Sequence, residues 1–171
     1  MIDRTMVMLI GPTGCGKTTF RKKYLTTLAC ISPDDFISGG WTSDKRALAW
    51  GHAGRMAELF FRDEESFVVD AQFVTADLRN EWVKKAKRHD YKVVAVCLLT
   101  SWSQILKNHE KRGDRGGYGI IPREVIKESY WTYQKAMTGT SNWHLFDKKI
   151  VVKWGSSDFK KQEVMDELWS M

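Results

Sequence analysis

The chain has 171 residues, of which 43% are hydrophobic and 28% are charged, and its formal net charge is +6. This length favours one domain, residues 1–171, whose core needs no disulfide or structural metal, and the basic charge favours a polyanionic partner. No apolar run approaches the ~20 residues of a membrane span, and charged residues interrupt the start of the chain where a signal peptide would lie, so we expect a cytoplasmic protein without a membrane partner.

Short apolar strands alternate with amphipathic helices along the chain. In the first half the predicted order is strand 6–10, helix 17–28, strand 29–32, helix 43–62, strand 67–69 and a helix capped by Thr75 that ends at about residue 89. In the second half it is strand 92–99, a helix capped by Ser101 that ends at about residue 111, a helix opened by Pro122 that ends at about residue 137, strand 150–154 and helix 159–169. This alternation predicts an α/β fold in which a central parallel sheet has helices on both faces.

A glycine-rich motif lies between the first predicted strand and the first predicted helix. It has the pattern G-x-x-x-x-G-K-T and consists of Gly11, Pro12, Thr13, Gly14, Cys15, Gly16, Lys17 and Thr18, hereafter the phosphate loop. Its glycines let backbone N–H groups turn toward phosphates, and the start of the helix adds a partial positive charge. Lys17 can reach the β- and γ-phosphates, Thr18 can offer its hydroxyl to Mg²⁺, and Thr19 completes the predicted nucleotide-binding segment. The sequence therefore predicts a site for a nucleoside triphosphate.

Three aspartates directly follow predicted strands and are expected at the same edge of the sheet as the phosphate loop. Asp70 ends the third strand, where its carboxylate can meet the metal ion, directly or through water, or the acceptor; the alternative is a strand-end or helix-capping role. Asp34 and Asp35 follow the second strand, and one of them could accept the proton of an acceptor hydroxyl. The alternative for this pair is a turn built by Pro-Asp-Asp.

A glycine-rich segment over residues 111–119 carries two arginines, Arg112 and Arg115. Guanidinium groups there could close over the triphosphate and stabilise the charge that develops during transfer. We interpret this segment as the centre of a lid over roughly residues 101–137, the alternative being a solvated basic loop. Trp41, which follows two glycines, is a candidate for stacking on a base.

The three cysteines, Cys15, Cys30 and Cys97, show neither close pairing nor the spacing of metal ligands. We interpret them as buried thiols of a reducing compartment. Cys15 lies within the phosphate loop and is a candidate for oxidation, although the motif requires no thiol there.

Four elements in this order resemble the kinase domain of phage polynucleotide 5′-kinase over roughly residues 6–137. They are the phosphate loop, Pro-Asp-Asp-Phe at 33–36, Val-Val-Asp-Ala-Gln at 68–72, and Lys-Arg-Gly followed by Ile-Pro within 111–122. The resemblance implies a three-layer P-loop kinase fold and an ATP- and Mg²⁺-dependent transfer to a nucleic-acid hydroxyl. By this resemblance, Lys17 and Thr18 hold phosphate and metal. Asp34 would be the general base, Asp70 would help to place the acceptor, and Arg112 would be the lid arginine on the transferred phosphoryl group.

The chain departs from the family pattern where the acceptor is expected. The family places an arginine three residues after the base, and here that residue is Ile37. A second lid arginine is replaced by Asn108, and Gln72 stands where an asparagine is common. The predicted acceptor site, which also includes Asp35 and Trp41, is thus altered, whereas the residues expected to bind ATP are retained.

The sequence leaves four functions open. The first is a kinase of nucleic-acid hydroxyls, most simply a polynucleotide 5′-OH, with DNA favoured over RNA as the substrate. The second is a phage DNA kinase that phosphorylates hydroxymethylated bases, of the 5-hydroxymethyluracil type, within DNA. The third is a kinase of a small molecule or nucleotide, which the basic charge disfavours. The fourth is a P-loop NTPase that is not a kinase, although the Asn-Lys-x-Asp motif that reads guanine in GTPases is absent.

Overall fold

The computed structural model describes residues 4–37, 42–113, 121–139, 142–153 and 166. Its strands form one parallel sheet in the order β2–β3–β1–β4–β5. The predicted α/β fold with a central parallel sheet is confirmed. In chain order the elements are β1 Thr5–Ile10, α1 Lys17–Tyr24, β2 Ala29–Ile31, a 3₁₀ turn Pro33–Phe36, α2 Ser43–Arg62, β3 Phe67–Asp70, α3 Ala76–Lys87, β4 Lys92–Leu99, α4 Trp102–Gly113, α5 Arg123–Thr138, a 3₁₀ turn Asn142–Leu145, and β5 Lys148–Lys153.

The strand β1 lies at the centre of the sheet and is buried along its whole length. Successive side chains of a strand point to opposite faces. Val7 accordingly belongs to the core on one face and Met8 to the core on the other. Because helices cover both faces, residues 6–10 of the strand form a continuous apolar run rather than an alternating one.

Helices form a layer on each face of the sheet. On one face α2 and α3 pack through buried residues such as Ala57 and Trp82, and on the other α1 and α4 contribute Phe20 and Ile105. The helix α5 joins both cores, since Ile126 belongs to one and Tyr133 to the other. The middle of α5 therefore passes over the end of the sheet where the phosphate loop lies.

Several predicted ends are wrong. Helix α1 ends at Tyr24 rather than at residue 28, because Leu25 has a non-helical backbone (φ −119°, ψ 36°) and is buried in the core. Strand β2 ends at Ile31, one residue early. Helix α3 ends at Lys87 because the chain turns over the next residues, where Asp90 has a positive φ of 60°. Strand β5 spans Lys148–Lys153 instead of 150–154.

The two predicted helix caps differ in outcome. Ser101 caps α4 as predicted, since its hydroxyl accepts a hydrogen bond from the Gln104 backbone N–H at 3.3 Å. Thr75 occupies the cap position of α3, but its side chain makes no capping hydrogen bond. The predicted helix over 159–169 lies outside the described residues apart from Asp166. Within the described ranges, no helix combines the length and the apolar character needed to cross a membrane.

Candidate active site

The phosphate loop connects the end of β1 to the start of α1, as the sequence predicts. Gly14 and Gly16 both have positive φ values, 80° and 99°, which side-chain-bearing residues rarely adopt. These two residues reverse the chain so that α1 begins at Lys17. The first turn of α1 contains no acidic residue, so the unpaired N–H groups of the helix start form a site suited to an anion.

Lys17 is buried within the phosphate loop, with only 9% of its surface exposed. Its Nζ donates hydrogen bonds of 2.9 Å to the carbonyl oxygens of Gly11 and Pro12, across the loop from its own backbone. The ammonium group therefore lies on the concave side of the loop, where the motif predicts phosphate. Thr18 is half-buried in the next position, and Thr19 is exposed.

Gly11 and Cys15 pack against each other at the base of the loop. A Cβ atom on Gly11 would lie 2.6 Å from the Cys15 Sγ and 3.4 Å from the Leu98 carbonyl oxygen, so the position has no space for a side chain. Cys15 is fully buried, and burial raises the pKa of its thiol. Its predicted susceptibility to oxidation therefore finds no support, because the reactive thiolate is disfavoured and unexposed.

We expect the variant Gly11→Ala to lower the free energy of unfolding by about 1–3 kcal/mol through overpacking. Adding Cys15→Ala should recover part of this loss, because the sulfur atom that would be struck is removed. Urea denaturation of the two single variants and the double variant measures the coupling. If the changes in unfolding free energy of the two single variants simply add in the double variant, the Cys15 sulfur is not the reason that position 11 requires glycine.

Side chains from the second half of the chain hold the phosphate loop from outside. Thr100, which follows β4, donates its hydroxyl proton to the Cys15 carbonyl oxygen at 2.9 Å. Asn108 in α4 donates from Nδ2 to the Gly14 carbonyl oxygen at 2.8 Å. Ser129 in α5 accepts a hydrogen bond from the Thr13 backbone N–H at 3.3 Å. The two helices on either side of the arginine- and glycine-rich segment are thus both bonded to the loop.

Gln72 belongs to this framework. Its carbonyl oxygen accepts the Gly11 N–H at 3.1 Å, and its side-chain Oε1 accepts the Ser129 hydroxyl at 2.8 Å. The sequence predicts an acceptor-binding role for Gln72, and the structure places this residue at the base of the phosphate loop. The sequence analysis does not identify Ser129. The feature that marks it is a polar residue on the apolar face of α5, between Ile126 and Tyr133.

Asp70 lies at the carboxyl end of β3, beside Leu9 of β1 in the sheet register. Only 3% of its side chain is exposed, and its Oδ2 is 3.3 Å from the Nε of Arg21 in α1. The sequence analysis does not identify Arg21 as a site residue. Its position one helical turn after Lys17 places it on the same face of α1, which would have indicated such a role. Asp70 is therefore a buried carboxylate at the loop that already has a cationic partner.

Asp34 and Asp35 lie in the 3₁₀ turn directly after β2, and both are exposed. Since β2 neighbours β3, which neighbours β1, this turn lies at the same edge of the sheet as Asp70 and the phosphate loop. The backbone of the turn is fixed by a hydrogen bond from the Ile37 N–H to the Asp34 carbonyl oxygen. Ile37 itself is 91% buried, since its exposed fraction is 9%. Its predicted contact with the acceptor is therefore not supported, because the side chain packs inward.

The predicted lid residues are only partly described. Arg112 occupies the last turn of α4, four residues after Asn108, and its side chain is not described. Residues four apart lie on the same face of a helix. Because Asn108 contacts Gly14, the helix brings the backbone of Arg112 to within one further turn of the phosphate loop. Arg115 and Trp41 lie outside the described residues.

Metal-ligand side chains do not cluster in the part of the chain that the structure describes: no three His, Cys, Asp or Glu residues are placed to hold an ion. A hydroxyl and a carboxylate at the loop, Thr18 and Asp70, are oxygen ligands of the type that Mg²⁺ accepts. Mg²⁺ commonly keeps several waters and is held by one or two protein oxygens together with substrate phosphates. These residues therefore fit a magnesium ion that is carried by a nucleotide.

A family model described as an AAA domain, AAA_33, matches residues 6–135. No curated protein matches the chain in sequence. Among solved structures, Kti12 of Chaetomium thermophilum in complex with ADP-AlF3 has a TM-score of 0.71 and 15% identity, covering 96% of this chain and 97% of its own. A gluconokinase from Sinorhizobium meliloti has a TM-score of 0.63 and 14% identity, covering 99% and 92%. A chain of the Pnkp1/Rnl/Hen1 RNA repair complex has a TM-score of 0.70 and 14% identity, covering 80% of this chain and 46% of its own. At these identities the likeness shows the fold, which is that of P-loop kinases.

Proposed function

The chain belongs to the AAA_33 family of AAA domains, and from its P-loop kinase fold we propose that it is an ATP- and Mg²⁺-dependent kinase of a nucleic-acid hydroxyl, most simply a polynucleotide 5′-OH. One observation carries the kinase assignment. The buried Lys17 ammonium lies inside the phosphate loop, at the edge of the sheet where Asp70 and the Asp34–Asp35 turn also lie. A cationic phosphate site at the same edge of the sheet as carboxylates suits phosphoryl transfer to a hydroxyl.

The residues of the site divide the reaction between them. Lys17 and the N–H groups at the start of α1 bind and orient the triphosphate. Mg²⁺, held by the phosphates and Thr18, would neutralise phosphate charge when bound. Asp34 accepts the proton of the acceptor hydroxyl. The oxygen of that hydroxyl forms a bond to the γ-phosphorus, and the bond between the γ-phosphorus and the leaving oxygen of ADP breaks. Asp70, paired with Arg21, orients groups at the loop rather than taking the proton.

Three arguments support nucleic acid as the acceptor. The net charge of +6 favours a polyanion. The motif order resembles polynucleotide 5′-kinase, and the RNA repair complex supplies a structural neighbour with the same fold. The gluconokinase neighbour shows that this fold also serves small-molecule kinases, so the acceptor must be identified by assay.

A second candidate function is phosphorylation of hydroxymethylated bases within phage DNA. Two departures from the pattern of the 5′-kinase family are compatible with it. Ile37, where the resembled family has an acceptor arginine, is buried, and Asn108, where it has a lid arginine, is bonded to Gly14. The contacts expected for a 5′ end are therefore missing at both positions.

Transfer of labelled γ-phosphate from ATP tests both candidates. The acceptors are 5′-OH oligonucleotides of DNA and RNA, duplex DNA containing 5-hydroxymethyluracil, free nucleosides and gluconate, with the Lys17→Ala protein as the control for contaminating kinases. Label at oligonucleotide 5′ ends supports the first function, and label in the modified base supports the second. Label only in a small molecule rejects a nucleic-acid acceptor, and label released only as phosphate rejects a kinase.

We expect Arg112→Ala to lower kcat by about 10- to 100-fold with a smaller change in the KM for ATP, since a hydrogen bond from a charged group contributes about 1.5–3 kcal/mol. The reason is that a lid arginine acts on charge that develops during transfer rather than on bound ATP. Steady-state kinetics with varied ATP measures both constants, and the neighbouring Lys111→Ala is the matched control. An unchanged kcat would indicate that the arginine- and glycine-rich segment is a solvated loop rather than a lid.

A further inference from the structure

Two consecutive carbonyl groups of the phosphate loop are held from outside by side chains. Asn108 donates to the Gly14 oxygen at 2.8 Å, and Thr100 donates to the Cys15 oxygen at 2.9 Å. Asn108 is itself oriented, because Gln104 one turn earlier donates to its Oδ1 at 2.9 Å. With its oxygen occupied by Gln104, the Asn108 amide presents its nitrogen to the loop.

These carbonyl contacts fix the direction of two backbone N–H groups. In a trans peptide the carbonyl of one residue and the N–H of the next point in opposite directions. Holding the Gly14 and Cys15 carbonyls outward therefore turns the N–H groups of Cys15 and Gly16 toward the inside of the loop. The structure agrees at the first of these, since the Cys15 N–H points across the loop to the Pro12 oxygen at 3.3 Å, which also accepts the Lys17 ammonium.

We infer that Asn108 and Thr100 are positioning residues for phosphate binding: they hold the two peptide planes whose N–H groups face the phosphates. This inference rests on the proposed function only in that the loop binds phosphate, whatever the acceptor. It gives Asn108 a role different from the lid arginine of the resembled family. The side chain is neutral and acts on the phosphates through the backbone.

The positioning role differs from a role in stability. Ser129 and Gln72 already fix the base of the loop through the Thr13 and Gly11 N–H groups. Gly14 and Gly16 have left-handed backbone values, and the two peptides between them are held from outside by Asn108 and Thr100. Removing the outer contacts should therefore loosen phosphate binding before it affects the fold.

The test measures binding of two probes, Mg·ADP and Mg·tripolyphosphate, by calorimetry. The variants are Asn108→Ala, Asn108→Asp and Thr100→Val, and Lys107→Ala is the control because Lys107 is an exposed neighbour in α4. We expect affinity for both probes to fall about three- to tenfold in Asn108→Ala and Thr100→Val, the effect of one lost neutral hydrogen bond. Asn108→Asp keeps the shape of the side chain but replaces the donor with a carboxylate, so it should bind more weakly than Asn108→Ala. The thermal midpoint without nucleotide should change little.

The outcomes separate the inference from the proposed function. Wild-type protein that binds neither probe would contradict the proposed function. Wild-type protein that binds both, with all three variants within twofold of it, would overturn the inference alone. If the variants bind ADP more weakly but bind tripolyphosphate as well as the wild type, the inference is also overturned. The side-chain contacts would then act on the nucleoside rather than on the phosphates. If Asn108→Ala does not fold, the affinity of the near-isosteric Thr100→Val variant for the two probes tests the inference.

Discussion

Replacing Lys17 with alanine is expected to lower phosphoryl transfer by about 10²- to 10³-fold, the usual effect of removing one preorganised group that stabilises the transition state. The ammonium is held by two loop carbonyls in a buried position, where charge is weakly screened by water. Arg21, one turn later in the same helix, is paired with Asp70 and so does not take the place of Lys17. Transfer of labelled γ-phosphate to the acceptor found in the panel measures the loss.

The matched control for this prediction is Lys22→Ala. Lys22 is an exposed residue in the last turn of the same short helix, so its loss removes an equal charge at a different place. Lys17→Met keeps the apolar stem and separates loss of the charge from loss of packing. If Lys17→Met keeps more than a tenth of the wild-type rate, the ammonium does not act on the phosphates as proposed.

Replacing Asp34 with asparagine is expected to lower transfer by about 10²- to 10⁴-fold, as for removal of a general base. Asparagine has nearly the same shape but cannot accept the proton of the acceptor hydroxyl. Because Asp34 is exposed and precedes the edge of the core at Ile37, the fold should tolerate the change. The measurement is kcat at saturating ATP, together with ADP affinity, which should stay within about twofold because the base does not touch the nucleotide.

Asp35→Asn is the control, since the two carboxylates are adjacent, exposed and in the same 3₁₀ turn. A large loss in Asp35→Asn with little change in Asp34→Asn would exchange the two roles. Small effects in both would assign the pair to the turn alone, which is the alternative that the sequence leaves open.

The sequence predicts the sheet well because its apolar strands are continuous and bounded by clear turns. Lys92–Leu99 and Ser43–Arg62 have the predicted bounds. Helix α1 ends early for a reason that local pattern does not contain. Leu25 is buried in the same core as Phe20, and its backbone is no longer helical. Tertiary burial outweighs helix propensity there.

The phosphate loop could be predicted residue by residue because its motif is local. The residues that hold it could not, because Thr100, Asn108 and Ser129 are far from it in sequence. The resemblance predicts an acceptor role at Ile37 and Gln72, whereas the burial of Ile37 and the hydrogen bond between Gln72 and Ser129 depend on contacts that the motif does not contain. A motif gives the type of chemistry, whereas the contacts around it depend on the fold.

The burial of the cysteines, complete for Cys15 and Cys97 and partial for Cys30, has a consequence for labelling chemistry. The chain has three cysteines, and burial raises the thiol pKa of each, to about 11 for Cys30 and about 12 for Cys97. Maleimides and other alkylating reagents attack the thiolate, which is scarce in all three at neutral pH. A new cysteine at the exposed position of Lys107 would thus be the preferred target without removal of the native ones. A fluorophore attached there would test whether the surroundings of α4 change when nucleotide binds.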